Sequence, residues 1–235
     1  MKVGRTGMRW IGCLIVCLLC GAAYGATLQV SPVRISISAD GKAAVVRLHN
    51  QSDVPTLIQV EALMWNEADL TNAPRTPEIL AVPPVFEIGA GAEQVIRLAL
   101  RRPMTSDTEQ AYRLLITEVP RAVGDGEEGI SFALRLNLPV FVTPKGALPQ
   151  PAWSLAGGEL KLGNRGNAHV RVRNFALFVD GDEDPVFTSN DGGYVLAGGE
   201  RSWQLDLGRV KTGAALTIKA ETNLGDLESV VEVGG

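Results

Sequence analysis

Hydrophobic and polar residues alternate along most of this chain with a period of two, and no stretch sustains the helical period. Short runs rich in Val, Ile, Leu and Thr recur between clusters of Gly, Pro, Asn and Asp. Such alternation turns one side of each run toward a core and the other toward water, as in a half-buried strand. The pattern predicts strands over 28–38, 43–50, 56–65, 85–88, 94–100, 110–119 and 130–142. Seven strands in a stretch of this length is the count of an immunoglobulin-like sandwich. Asp40-Gly41 supplies a tight turn between the first two. Pro74, Pro77, Pro83 and Pro84 predict an irregular connection before Val85.

Residues 143–151 carry Pro144, Pro149, Pro151 and Gly146, the composition of a linker. Shorter strand signals follow over 159–162, 169–179, 202–206, 215–221 and 227–233, punctuated by glycine and asparagine. The expected architecture is all-β, with one sandwich domain over 26–146 and a second, smaller one over 147–235.

One run stands apart. Ile130, Phe132, Leu134, Leu136 and Leu138 share a face of an extended strand, opposite Ser131, Ala133, Arg135 and Asn137. At a sheet edge, such a strand would present unpaired backbone beside a row of large apolar side chains. That is an aggregation hazard. It is equally what a protein needs in order to lend a strand to another protein. The free edge could be covered by a second copy of the chain or by the acidic, glycine-rich stretch Gly124–Gly129.

The first 25 residues change the picture of where this happens. Lys2, Arg5 and Arg9 precede an apolar run from Trp10 to Cys20, and Ala23-Tyr24-Gly25 offers a small-residue cleavage site. This reads as an export signal, with Ala26 as the mature terminus. The apolar run is too short to span a membrane comfortably. Cys13, Cys17 and Cys20 all lie within it, so the mature chain is expected to hold no cysteine in an oxidising compartment. Disulfides, thiol catalysis and thiolate-bound zinc are thereby excluded from it. Loss of the three basic residues leaves 19 basic against 26 acidic, a net charge of −7. Nucleic-acid binding, which rests on a basic surface, is set aside.

Candidate chemistry is sparse. His49 ends a predicted strand and His169 begins one, and neither lies in an H-E-x-x-H, G-x-S-x-G or Gly-rich phosphate motif. Both read as ordinary strand-end residues. Asp180-Gly181-Asp182-Glu183-Asp184 lacks the spacing of a calcium loop and reads as a solvated turn. No catalytic residue, metal or cofactor is expected. Two arginines carry more weight: Arg34 follows Ser31-Pro32-Val33, and Arg113 interrupts the apolar strand Tyr112–Ile116. From the residues alone each is either a strand-edge charge in water or a donor set to grip a carboxylate bidentately.

Ser31-Pro32-Val33-Arg34-Ile35, Asn50-Gln51-Ser52, Tyr112–Pro120 and Leu138–Pro144, in this order and spacing, resemble the PapD-like periplasmic chaperones of chaperone–usher pilus assembly. The Leu-Pro-Val-Phe-Val ending and the Tyr-Arg pair look more like the archaic branch of that family. The resemblance spans nearly all of the mature chain. It implies two immunoglobulin-like domains set as an L, with a cleft that binds a pilus subunit before its delivery to an outer-membrane usher. It implies that Ile130, Phe132, Leu134, Leu136 and Leu138 form the donated apolar row, and that Arg34 grips the subunit's terminal carboxylate. The family's second anchor is a lysine in the last strand, and there this sequence departs. Pro139 holds the matching position, with Lys145 displaced beyond Pro144; the second anchor is then Arg113 on the neighbouring strand or Lys145, with Arg113 the first choice. Two other classes compete. A secreted pilus subunit or adhesin would lack a final strand and carry its own donor segment, and a carbohydrate-binding module would cluster aromatics in loops. Here the first domain has all seven strands, and the four tryptophans are scattered.

Overall fold

A computed structural model describes residues 28–39, 43–66, 73–120, 133–208 and 210–234. Residues 1–25, expected to be an export signal, the expected Asp40-Gly41 turn, the Gly124–Gly129 stretch, Ile130 and Phe132 lie outside these residues. Every described regular element is a strand.

The first strand is two strands. β1 (Leu28–Ser31) pairs antiparallel with β3 (Ala44–Asn50), whereas β2 (Ile35–Ser38) runs parallel to β9 (Arg135–Thr143) in the opposite sheet. The break falls at Pro32, which has no N–H to give to a ladder, followed by a bend at Val33 and Arg34. One chain segment thereby closes both sheets.

β4 (Thr56–Met64), β5 (Ile79–Val82), β6 (Val85–Ile88), β7 (Glu93–Leu100) and β8 (Gln110–Val119) complete this half. The sheet orders are β1-β3-β7-β5 and β2-β9-β8-β4-β6. Between them lies a core that includes Ile35, Leu48, Ile58, Ile96, Leu114 and Val140, each no more than 1% exposed. β5 adds an eighth run, hidden in the sequence between Pro77 and Pro83. The second half has sheet order β10-β11-β15 facing β13-β12-β16-β17, with β14 also on β12. Its strands are β10 (Pro151–Ala156), β11 (Glu159–Asn164), β12 (Val170–Val179), β13 (Phe187–Ser189), β14 (Gly193–Val195), β15 (Glu200–Gln204), β16 (Ala215–Thr222) and β17 (Gly225–Glu232). Its core, which includes Leu160, Leu177 and Ile218, shares no residue with the first.

Both halves use the same polar device. Asn50 ends β3 and Asn164 ends β11, and both are buried. Asn50 Nδ2 donates to the carbonyls of Val54, Ile88 and Gly89, while its Oδ1 accepts from Ser52 N at 3.1 Å. Asn164 Nδ2 donates to Ala168, Val195 and Leu196, and its Oδ1 accepts from Gly166 N at 3.1 Å. Each amide thus closes its own tight turn and ties it to a distant strand end. Left unpaired in a core, those backbone groups would each be costly.

Candidate functional site

β9 decides what the first half can do. Along Arg135–Val142 it is paired with β8, but β2 covers its other edge only from Val140 onward. From Arg135 to Pro139 that edge has no partner strand among the described residues. Burial changes along the same strand. Leu134 is half-buried, Leu136 is half-buried and packs against the first core, and Leu138, 7% exposed, belongs to that core. This corrects the expectation of a uniform apolar row. Leu138 lies opposite Leu114, inside the protein's own sandwich, and has no side chain left to lend.

The opposite face of β9 looks outward from the first core and is read most simply in rows. Arg113 pairs with Pro139 on one side and Leu63 on the other. Continuing the β2–β9 register by one residue places Arg34 beside Pro139. Arg34 and Arg113 therefore share a row, two strand spacings or about 10 Å apart. Arg34 is exposed; Arg113 is half-buried. Lys145 sits in an exposed turn beyond the end of β9, six residues past Pro139, about 20 Å along an extended chain. Of the three candidate cations, the fold brings two together and sets Lys145 apart.

The next row holds Phe141, opposite Ala111 on β8. Phe141 is fully buried although it points away from its own core, because the second half roofs it. The His169 ring stacks on it at 3.7 Å and 14°, and Tyr194 lies 5.2 Å away. Ala111 is small enough for Trp65, from the end of β4, to meet Phe141 at 5.6 Å. Trp65 also meets Tyr194 edge-on at 5.6 Å, and the Arg113 guanidinium lies over its ring at 3.7 Å.

Beneath these aromatics the two halves are joined by polar contacts. Glu109, with a side chain 3% exposed, accepts from His169 N at 2.9 Å and from Thr143 Oγ1 at 2.7 Å, and its Oε1 lies 2.6 Å from His169 Nδ1. Burial pushes the Glu109 carboxyl up, but hydrogen bonds from His169 and Thr143 and the charge of His169 outweigh it, so it is held below the usual range. Asn167 adds a 2.7 Å bond from Nδ2 to the carbonyl of Asp107. His169 is thus part of the joint between the two sandwiches, not the ordinary strand end expected from sequence.

Elsewhere in the first half, burial and the adjoining Glu78 carboxylate push the Tyr112 hydroxyl up. The Tyr112 O–H donates to Glu78 beside a cavity of about 550 Å³ lined in part by Arg101, Arg102 and Met104. Sequence reasoning found the arginines and missed Trp65, Glu109, Phe141 and Tyr194. One signal was available: Gln59, Glu61, Leu63 and Trp65 alternate on the face that also carries Arg113.

This geometry is the setting in which the chain's relatives become informative. Residues 27–148 match the family model described as the pili and flagellar-assembly chaperone, PapD N-terminal domain. That is more than half of the chain, and the protein belongs to this family of non-enzymatic pilus-assembly chaperones. It is 27% identical over 200 residues to the probable fimbrial chaperone YadV of Escherichia coli K12, covering 80% of this chain and 76% of that one. Two solved structures share the two-domain fold. A chain of the Acinetobacter baumannii CsuC–CsuE complex, a chaperone with a tip adhesion subunit of archaic pili, superposes with TM-score 0.62 at 24% identity. It covers 89% of this chain and all of that one. A chain of the Salmonella enterica SafA pilin–SafB chaperone complex gives TM-score 0.67 at 16% identity, covering 89% and 98%.

Proposed function

We propose that this protein captures a pilus subunit by adding the edge of β9 that β2 leaves uncovered to the subunit's incomplete sandwich, while Arg34 and Arg113 hold the subunit's terminal carboxylate. The observation that carries this reading is the one-sided pairing of Arg135–Pro139 beside the half-buried Leu134 and Leu136. Edge addition gives affinity through backbone hydrogen bonds and specificity through alternate side chains. Each apolar side chain transferred into a groove contributes about 1.5–3 kcal/mol before ordering costs. The arginine row sets the register, because only one alignment brings a chain terminus between the two guanidinium groups. In this reading the chain works in the periplasm after removal of residues 1–25. Residues 26–146 hold the subunit, 147–235 form the second domain, and an outer-membrane usher receives the cargo.

Affinity purification from periplasm with mass spectrometry tests this. The expected result is a chaperone mass starting near Ala26, with a small pilin-like protein bound. Arg34→Ala and Arg113→Ala should each release the partner from a chaperone that stays folded, and Lys145→Ala should retain it. Release by Lys145→Ala alone would refute the anchor assignment.

A further inference from the structure

We infer that Trp65 is the positioning residue of the carboxylate anchor: its indole face holds the Arg113 guanidinium in place, and its contacts with Phe141 and Tyr194 tie that position to the joint between the domains. The inference rests on the reading of Arg113 as an anchor and names what makes an arginine able to serve there.

An arginine side chain has many rotamers, and fixing it has an entropic cost that a bound carboxylate must offset. Stacking against an aromatic face pre-sets the guanidinium plane, which a lysine ammonium cannot reproduce. Register explains the contact. Leu63 is opposite Arg113, so Trp65, two residues further along the same face, is its diagonal neighbour, within reach of a large ring. The guanidinium carbon lies 3.7 Å from the indole centroid, close for a cation–π pair. Trp65 is in turn braced by Phe141 of β9 and by Tyr194 of the second domain, both at 5.6 Å. Its Nε1 is buried and has no hydrogen-bond partner among the described residues, so what it contributes there is ring surface. The chain that carries Pro139 in the last strand thus has an arginine on the next strand with a ring to hold it. A guanidinium held in this way favours a planar bidentate partner, and the C-terminal carboxylate of an extended chain is one.

The test uses the full-length mature chaperone and two synthetic peptides ending in the last dozen or so residues of the co-purifying subunit, one with a free carboxylate and one with a carboxamide. Wild type should favour the carboxylate form. Trp65→Leu should weaken the carboxylate peptide about tenfold, the effect of one lost cation–π contact and its ordering, and leave the carboxamide peptide unchanged. Trp65→Phe should restore most of the difference. Independently of any peptide, the Arg113 Nε–H resonance should be shifted upfield by the indole ring current in wild type, less in Trp65→Phe, and not in Trp65→Leu. Equal weakening of both peptides, no weakening of either, or an unshifted Arg113 resonance in wild type would overturn the inference. If Arg113→Ala itself leaves the carboxylate preference intact, the anchor reading fails first, and that outcome is separable from a Trp65 effect.

Discussion

Truncating Leu134, Leu136 and Leu138 one at a time separates what β9 does for its own fold from what it offers a partner. Leu138 is 7% exposed and packs in the first core, so Leu138→Ala removes a buried isobutyl group and leaves a cavity. Such changes cost about 2–5 kcal/mol, and a mid-range value is about 3 kcal/mol. A sandwich of this size unfolds with an entropy near 0.24 kcal/mol/K, so the melting temperature of the first domain should fall by about 12 °C. Leu134 is half-buried and gains less from folding, so Leu134→Ala should cost about 1 kcal/mol, or about 4 °C. Leu136, half-buried against the core, should fall between them. Subunit capture should run the other way. Leu134→Ala should raise the dissociation rate of the purified complex about tenfold or more, and Leu138→Ala should leave it unchanged for the molecules that remain folded. Thermal melts followed by circular dichroism, with dissociation rates from the same preparations, give both series. Parallel falls in stability and capture across the three positions would mean that β9 is a core strand throughout, and the strand-lending mechanism would fail. The burial gradient also sets limits on sharper changes. Leu136→Asp would place a charge against the protein's own core and destabilise it, whereas Leu134→Asp poisons the offered face with less damage to the fold.

Two further predictions concern the scaffold. Glu109 has a folded pKa below its unfolded value of about 4.3, so its contribution to stability is present above that pH and lost as pH falls through the folded value. The melting-temperature advantage of wild type over Glu109→Gln should therefore be largest above about pH 5 and shrink below about pH 4, and a pH-independent difference would contradict the assignment. Asn50→Ala and Asn164→Ala should each cost about 3 kcal/mol by orphaning buried backbone groups, and calorimetry should show each lowering the unfolding transition of its own domain only.

Legibility in the sequence followed periodicity. β4 and β8 were readable because long alternating runs commit one face to a core, and β9 was readable from Arg135 onward for the same reason. The switch of sheets between Ser31 and Ile35 was not, because one continuous apolar run served two different neighbours. β10 begins at Pro151, within the stretch whose composition predicts a linker, while β13 and β14 are three residues each and too short to show a period. Arg34 and Arg113 were found as misfits in apolar strands, yet nothing local showed that they share a row. That depends on the parallel β2–β9 pairing. The Glu109–His169 contact spans 60 residues and two domains, and no local pattern announces it. His169 looked ordinary because its meaning comes from Phe141, an outward-facing residue whose burial depends on the other domain.

The placement of that joint has a mechanical consequence. A strand offered to a partner must be straight and correctly registered before the partner arrives, yet its edge cannot be paired in advance. In the proposed mechanism β9 meets both conditions by dividing its length. From Val140 to Thr143 it is held by β2 on one side, mostly by β8 on the other, by Phe141 under the His169 ring, and by the Thr143 bond to Glu109. From Arg135 to Pro139 β8 is the one strand paired with it among the described residues. Because hydrogen bonds and packing along one strand form cooperatively, the clamped end sets the direction and pleat of the residues upstream of it. In the proposed mechanism the second domain therefore contributes to capture from a distance, by immobilising the far end of the strand that carries the offered edge.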